Sequence, residues 1–245
     1  MPSPTTSATP NRREAIRAVL APKYPRGTTR VYGTIRPFLS VLGQGGGAIA
    51  DFGVDHLFAE IPLRLSLELA PWALAIEADG PGSVAHLRFG AALATDYLEV
   101  GAAVGSRIQN YGEGGISLGG NLRLGALDGV RVTLTYGYVI KRNRYTGDVG
   151  AGISNVILGL QAPIAQRLAL FAEVGGSAEK WVYSSVGLRH RLFGEGGAGT
   201  WIVSGSFGVA WVIDRPDCLY PDTGWCTDSA WAAGPTLGLG LERRF

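Results

Sequence analysis

The sequence predicts an all-β fold, an antiparallel up-and-down β-barrel of about 12 strands with a polar lumen. Three observations lead to this prediction. Apolar side chains alternate with small or polar ones through most of the chain, with the period of two that is typical of strands. Glycine accounts for 37 of the 245 residues, and charged residues for only 17%. No run of about 18 apolar residues is present, so the sequence predicts no membrane-spanning helix.

The alternation is clearest between residues 57 and 69. There Leu63, Leu65 and Leu67 lie on one predicted face, and Arg64 lies on the other. Large aliphatic residues in succession on one face, opposed by charges, are typical of a strand with one apolar side. The same criterion, applied from the amino end, predicts strands over 31–41, 57–69, 72–78, 84–93, 97–108, 116–126, 130–141, 156–162, 168–174, 182–192, 201–213 and 230–245.

Residues with turn chemistry separate these strands. Asp128-Gly129 has the composition of a hairpin turn, and Ala70-Pro71 and Thr95-Asp96 also predict tight turns. A glycine-rich loop is expected over 43–53, and a polar one over 142–152. Because tight connections mostly alternate with longer ones, both ends of the predicted barrel fall on the same side.

Charged side chains are sorted by strand face. They lie on the small-and-polar face, which also carries Arg191, Glu242 and Arg244, whereas the middle of every aliphatic face carries no charge; Arg243 and His190 are the exceptions, near strand ends. The predicted lumen-lining residues are Arg36, Glu60, Arg64, Glu68, Glu77, His86, Arg88, Glu99, Arg107, Arg123, Arg131, Lys141, Glu173 and Arg189.

This sorting predicts which face meets which solvent. An arginine that faces hydrocarbon at mid-depth costs about 2–4 kcal/mol, and close to nothing at the interface. A barrel of about 12 strands is also too wide for side chains to fill with an apolar core. Aromatic residues of the aliphatic face, such as Trp201 and Trp211, fall mostly toward strand ends, as in an interfacial belt. We therefore expect the aliphatic face outside, in lipid.

The chain resembles the bacterial outer-membrane β-barrel proteins over residues 30–245. The amphipathic hairpins and the last strand, which ends in Phe245, carry the resemblance. In that family the terminal strand is the label that the barrel-assembly machinery reads, and Gly240, Leu241 and Phe245 fit its pattern. Arg243 stands where an apolar residue is usual, and Gly238 where a polar one is. The resemblance implies location in the outer membrane, contact with its lipid and lipopolysaccharide, and a signal peptide already removed.

Residues 1–29 are expected to form a flexible tail with one possible short helix, over 12–20. Cys218 and Cys226 lie close together in a polar stretch, and in an exported protein they would form a local disulfide. The nearby aspartates do not have the spacing of a calcium loop, so no metal site and no cofactor are predicted. The net charge of +2, without a basic block, argues against nucleic acid as a partner. The oligomeric state is left open.

No catalytic motif is recognisable, and the chain is not predicted to be an enzyme. Outer-membrane phospholipases and lipid A deacylases place a serine two residues after their catalytic histidine. After His56, His86 and His190 these positions hold Phe58, Arg88 and Leu192. His86, on the lumen face, is the remaining candidate for a catalytic base.

The predicted function is a narrow passive channel, porin-like with an anion preference, or a structural barrel. Lumen charges that interlock would close the barrel, whereas charges on opposite walls would line a water-filled pore. The first alternative is an outer-membrane lipid hydrolase, which needs a serine or an acid within about 3 Å of His86. The second is a soluble ligand-binding up-and-down barrel with the aliphatic face inside.

Overall fold

The computed structural model is a closed β-barrel of 12 strands. It describes residues 26–39, 46–77, 80–109, 114–142, 149–177, 181–213 and 231–245. The strands are β1 (Thr28–Leu39), β2 (Gly46–Leu57), β3 (Leu63–Glu77), β4 (Gly80–Ala94), β5 (Leu98–Gln109), β6 (Gly115–Gly125), β7 (Arg131–Arg142), β8 (Val149–Ala165), β9 (Leu168–Gly176), β10 (Trp181–Phe193), β11 (Trp201–Ile213) and β12 (Trp231–Arg244).

Every strand pairs antiparallel with its neighbours in the chain, and β1 pairs with β12 to close the barrel. At this seam Arg30 lies opposite Arg244, and the backbones of Thr29 and Phe245 exchange two hydrogen bonds of 2.8 and 3.2 Å. The predicted fold class, an up-and-down barrel of about 12 strands, is confirmed. Among the described residues, no helix is long and apolar enough to cross a bilayer.

The two faces of the sheet are sorted as the alternation predicts. Large apolar side chains point outward: Leu67 is 48% exposed and Phe207 59%. Charged side chains point inward: Arg88 is 2% exposed and Arg244 0%. An apolar exterior around a charged interior is the arrangement of a barrel that lies in hydrocarbon, because water outside would favour the opposite sorting. The barrel is therefore a membrane-spanning one with a polar lumen.

Both ends of the barrel domain, at β1 and β12, lie at the same end of the cylinder. The turns at this end cover residues 58–62, 95–97, 126–130, 166–167 and 194–200. We call it the short-turn end. In the last of these turns Gly196 has a φ of +106°, a backbone conformation that residues other than glycine rarely adopt. This glycine lets the turn bend inward, so that its carbonyl oxygen meets the side chain of Arg244.

The strand boundaries of the first hairpins differ from the prediction. Residues 46–57, expected to be mostly loop, form β2, and the chain turns at 58–62, inside the predicted strand 57–69. The many glycines hid β2, although Phe52 and Val54 point outward and Asp55 inward. Glu60, predicted to line the lumen, is exposed in this turn, because the break in the strand removes it from the lumen face.

The expected turn at Ala70-Pro71 is also absent. Strand β3 continues through it to Glu77, and the register shifts between Leu69 and Trp72. A proline has no N–H to give to the ladder, and a bulge is one of the few places where a sheet accommodates it. The proline therefore marks a bulge in a long strand. The tail 1–25 and the pair Cys218 and Cys226 lie outside the described residues, and their predictions stay untested.

Candidate functional site

The lumen is the candidate site, and most of the predicted lumen residues lie in it. Buried there are Arg36, Arg64, His86, Arg88, Glu99, Arg107 and Arg123. Half-buried on inward positions are Glu68, Arg131, Lys141, Glu173 and Arg189. Glu60 lies in an exposed turn, and the side chain of Glu77 lies outside the described part.

Four further charged residues of the lumen were missed from the sequence. Asp51 and Asp55 lie on β2, which was expected to be largely loop, although their alternation with Phe52 was visible. Arg30 lies where the alternation was only beginning. Asp128 lies in a turn, and no local pattern predicts that a turn residue enters the lumen.

The first ion-pair cluster lies near the short-turn end and links β1, β2, β3, β5 and β6. Asp55 on β2 accepts hydrogen bonds from Arg30 on β1, at 2.5 and 3.0 Å, and from Arg64 on β3, at 3.1 Å. Arg64 also donates to Glu99 on β5 at 2.6 Å. Glu99 in turn lies 3.6 Å from the Nε atom of Arg123 on β6. Each carboxylate thus has at least two cationic partners, which offsets the cost of burying it.

A second cluster lies at the same level on the other side of the seam. Glu242 on β12 accepts a hydrogen bond of 2.5 Å from Arg189 on β10 and one of 2.7 Å from Arg244. Its Oε2 atom also lies 4.0 Å from Arg30, which joins the two clusters. Arg189 further donates to the amide oxygen of Gln161 on β8 at 3.0 Å.

Asp128 completes the network from the opposite wall of the barrel. It belongs to the turn between β6 and β7, and β6 lies six strands from β12 in a ring of 12. Its two carboxylate oxygens each accept a hydrogen bond of 2.8 Å from Arg244. Arg191 and Arg189 lie 3.4 and 3.9 Å away. The turn therefore reaches across the mouth of the lumen.

This contact also sets the ionisation of Asp128. Burial raises the pKa of its carboxyl group, but the hydrogen bonds and charge of Arg244, with the charges of Arg189 and Arg191, outweigh burial and hold the pKa well below its usual range. Asp128 is therefore ionised at neutral pH. We call the ion pairs of the two clusters and Asp128 the closure network, because together they fill the short-turn end.

At the next inward-facing position of several strands, two residues further from the short-turn end, glycine lines the lumen. The next inward position after Asp55 is Gly53, after Glu99 it is Gly101, and after Gln161, Arg189 and Glu242 it is glycine again. Tyr32 lies over Gly53 and Phe171 over Gly187, so aromatic rings cover part of this level. Small polar side chains of neighbouring strands lie over the other glycines, Asn121 over Gly101, Thr133 over Gly159 and Ser204 over Gly240.

Beyond the glycine level a second set of charged residues begins. Arg36 on β1 donates to Asp51 on β2 at 2.8 Å and to Glu173 on β9 at 2.5 Å. Its guanidinium group also lies over the ring of Tyr183, 4.9 Å from the centroid. Tyr183 packs with Phe38, which belongs to a small apolar cluster on the same wall with Ile49 and Ala210. This wall is therefore acidic and apolar, and its Arg36 is neutralised by Asp51 and Glu173.

The facing wall, formed by β4 to β8, is basic. Arg88 donates through Nε to Ser117 at 2.8 Å, and through Nη2 to Asn155 at 3.0 Å and Ser154 at 3.3 Å. Nδ1 of His86 lies 2.9 Å from the same Ser117 hydroxyl. Among the described residues, no carboxylate lies within 4.0 Å of Arg88 or hydrogen-bonds to His86. The described part of the chain also contains no group of three or more potential metal ligands.

The fold and the sorted faces define the class of protein, a membrane-spanning β-barrel like those of bacterial outer membranes. No family model matches the chain, and no curated protein matches it. Among solved structures it is similar to the "CymD monoaromatic hydrocarbon channel" (10% identity, TM-score 0.47, 90% of this chain and 89% of that one). It is also similar to an outer membrane channel from Pseudomonas putida F1 (12%, 0.47, 91% and 97%) and to OmpT, an outer membrane protein of Vibrio cholerae (9%, 0.42, 91% and 99%). At these identities the likeness concerns the fold alone.

Proposed function

We propose that the protein is an outer-membrane channel that passes small anionic solutes through a narrow lumen. The observation that carries this proposal is the charge of the lumen wall. Among the described residues, inward-facing basic side chains outnumber acidic ones, and within that part of the chain the wall formed by β4 to β8 presents Arg88 without a carboxylate partner. An excess of positive charge inside a low-dielectric wall raises the local concentration of anions and disfavours cations.

The closure network determines how such a channel would conduct. Arg244, Glu99 and Asp55 are buried at the short-turn end, where the turn bearing Asp128 crosses the lumen. Passage at this end therefore requires the turn to move away from Arg244. We expect a small unitary conductance with long closed intervals, which separates this channel from a wide, permanently open porin.

Planar bilayers give the direct test. The purified, refolded chain is added to one side, with a gradient of KCl across the membrane. Current steps whose reversal potential lies toward the chloride equilibrium potential are expected. A cation-selective reversal potential would contradict the anion preference. Absence of current, in preparations that show the heat-modifiable gel mobility of a folded barrel, would make the protein a structural barrel.

A second candidate is the lipid hydrolase, favoured by the 2.9 Å contact between His86 and Ser117. Three features make it the weaker proposal. Ser117 is 0% exposed, it faces the lumen and not the lipid, and its Oγ atom already accepts a hydrogen bond from Arg88. Labelling by a fluorophosphonate that disappears in Ser117→Ala, together with phospholipid hydrolysis, would support the hydrolase. Absence of both, in folded barrel, would exclude this serine as a nucleophile.

The proposed location and assembly rest on the outer surface of β12. Leu241 and Phe245 are exposed on the outward face, next to Gly240. Arg243, at a position usually apolar in outer-membrane barrels, lies over the rings of Trp201 and Phe245, 4.7 and 4.2 Å from their centroids. Stacking near the strand end lets this charge reach the headgroup level. Folding into vesicles that carry a reconstituted assembly machinery, slowed by Phe245→Ala, would test recognition of this strand.

A further inference from the structure

We propose that Arg88, Asn155 and His86 form a binding site in the lumen for a small oxyanion. The shared chemistry is that of inorganic phosphate and of the carboxylate group of a small organic acid. This inference deepens the proposed channel by naming what it binds. The site itself is argued from the side chains of β4, β6 and β8 and does not depend on conduction.

The first observation is the path of Arg88. Its Cα atom lies opposite Glu68 in the register between β3 and β4, yet the two side chains form no ion pair. Instead the arginine extends across β5, β6 and β7 to reach β8. The path is open because the inward residues of β5, β6 and β7 beneath it are Gly105, Gly119 and Gly137. A methyl group on Gly119 or Gly137 would press against the arginine side chain, and one on Gly105 would press against the backbone of Leu87 and Arg88. The chain thus holds the guanidinium group away from its nearest carboxylate.

The second observation is an unpartnered donor beside it. Oδ1 of Asn155 accepts the hydrogen bond from Arg88, while Nδ2 of the same amide is buried without a partner, on a residue that is 0% exposed. A buried amide donor left unpaired destabilises the fold, because its hydration is lost without compensation. A fully buried, unsatisfied donor next to a guanidinium group that has no carboxylate partner among the described residues indicates that an acceptor from solution completes the site.

His86 adds a third donor. Because Ser117 accepts from Nε of Arg88, its own hydroxyl hydrogen is free to be donated to Nδ1 of His86. With Nδ1 as the acceptor, a neutral ring carries its proton on Nε2, which makes no hydrogen bond to the described residues. Nη1 of Arg88 is likewise without a described acceptor. The cluster therefore presents donors only, and its charge is positive.

Two carboxylates act electrostatically on Arg88, Glu68 on the adjacent strand β3 and Asp51 on β2. Asp51 is held by Arg36 at 2.8 Å. Glu68 has no hydrogen bond to the described residues, so it is the remaining negative charge that a bound anion meets. Its presence favours a small anion that lies against β4 to β8 over a bulky polyanion that fills the lumen.

The experiment measures binding in detergent, where conduction plays no part. Sodium phosphate and sodium acetate are titrated separately into the folded full-length barrel by calorimetry, at constant ionic strength set with NaCl. Wild-type protein is expected to bind at least one of the two. Binding of phosphate alone would identify phosphate as the ligand, whereas binding of both anions would show that the site also accepts a carboxylate group. Either result supports the site. Absence of heat with both would overturn it.

Two variants test whether Arg88 and Asn155 bind an anion or only hold the strands together. Arg88→Gln should weaken binding about 10- to 100-fold, because a charge-assisted hydrogen bond is lost. Asn155→Asp retains the arginine and places a carboxylate where the unpaired amide donor stands. It should weaken binding as strongly while raising the Tm of the barrel. Unchanged affinity in Asn155→Asp would show that any bound anion lies elsewhere and would overturn the proposal.

The matched control is Arg191→Gln, which removes one lumen charge at the short-turn end, far from Arg88 along the barrel. The affinity of this variant for the anion should stay within about threefold of wild type. Binding would depend on the charge at Arg88 and not on the total positive charge of the lumen. Equal losses in both arginine variants would overturn a local site. Binding without bilayer current would refute the channel and keep the site, whereas anion-selective current without binding would do the reverse.

Discussion

Asp128 and Arg244 form a two-pronged ion pair across the mouth of the barrel, with both nitrogen–oxygen distances at 2.8 Å. The aspartate comes from a turn on one wall, and the arginine from the closing strand on the other. Arg244 is completely buried, so the aspartate is its main connection to the opposite wall. The pair holds the short-turn end closed and ties the barrel across its diameter.

Asp128→Asn should loosen this end. Removing one partner of a buried ion pair costs about 3–5 kcal/mol, and the 20% exposure of the aspartate side chain places the expected loss near the lower limit. We expect a lower Tm of the folded barrel and a higher open fraction in bilayers. Asp96→Asn is the control, because this aspartate lies in a tight turn at the same end and its carboxylate makes no ion pair with the described residues. Equal effects of the two changes would contradict the role assigned to Asp128.

The ion pair also predicts how stability depends on pH. The pKa of Asp128 is depressed in the folded barrel, so its contribution is complete above the pKa of the unfolded chain, about 3.9. The contribution is lost as pH falls through the lower folded pKa. The difference in unfolding free energy between wild type and Asp128→Asn should therefore be constant above about pH 5 and shrink below about pH 4. Urea titrations at several pH values measure it, and a difference that grows on acidification would be inconsistent with a stabilising ionised form.

The sorting of faces predicts opposite outcomes at adjacent positions. Leu67→Arg places a charge on the outward face of β3, at the fifth of its 15 residues, and should cost up to about 2–4 kcal/mol in a bilayer. Ser66→Arg places it in the lumen, opposite Asp55 in the register of β2 and β3. Folding into lipid vesicles, followed by heat-modifiable mobility on gels, should fail for the first and proceed for the second. Similar yields of both would mean that the assigned faces are wrong.

The glycines beneath Arg88 predict a steric effect. Gly137→Ala would place a methyl group against Asn155 Oδ1, Arg88 Nη2 and Ser154 Oγ, which leaves the arginine no path to β8. Overpacking of this kind costs about 1–3 kcal/mol, and the Tm should fall accordingly. Gly152→Ala, with no atom within 4 Å of the added methyl group, is the matched control and should leave the Tm unchanged. A tolerated Gly137→Ala would show that Arg88 can lie elsewhere.

The sequence alone predicts the barrel and the sorting of its faces, because both depend on local alternation. The predicted strand number also agrees, because the missed β2 is offset by the division of β3 into two predicted strands. Arg64 and Leu67 already reveal their faces through their neighbours in the chain. The boundaries near β2 and β3 were harder to predict. Glycines weaken the apolar face of β2, and Pro71 has the composition of a turn although the chain continues through it as a bulge.

The contacts inside the lumen could not be predicted in the same way. Asp128 contacts Arg244, which lies 116 residues away in the chain. Arg88 forms no ion pair with its cross-strand neighbour Glu68 and instead extends to β8. Both depend on which positions across several strands are glycine, and on how far a turn bends inward. The alternation along a strand assigns a residue to the lumen, but it does not determine which other side chain that residue contacts.

The seam between β1 and β12 has a consequence for how the molecule acquires its shape. Its two strands are the first and the last of the barrel, so nearly the whole chain must be arranged before they can meet. Joining such distant segments carries a large loop-closure cost and is a late event in folding. Until then β1 and β12 each present an unpaired hydrogen-bonding edge, open to a neighbouring copy. The interval before the seam forms is when this protein is most prone to aggregate, and a chaperone that shields either edge would help most at that stage.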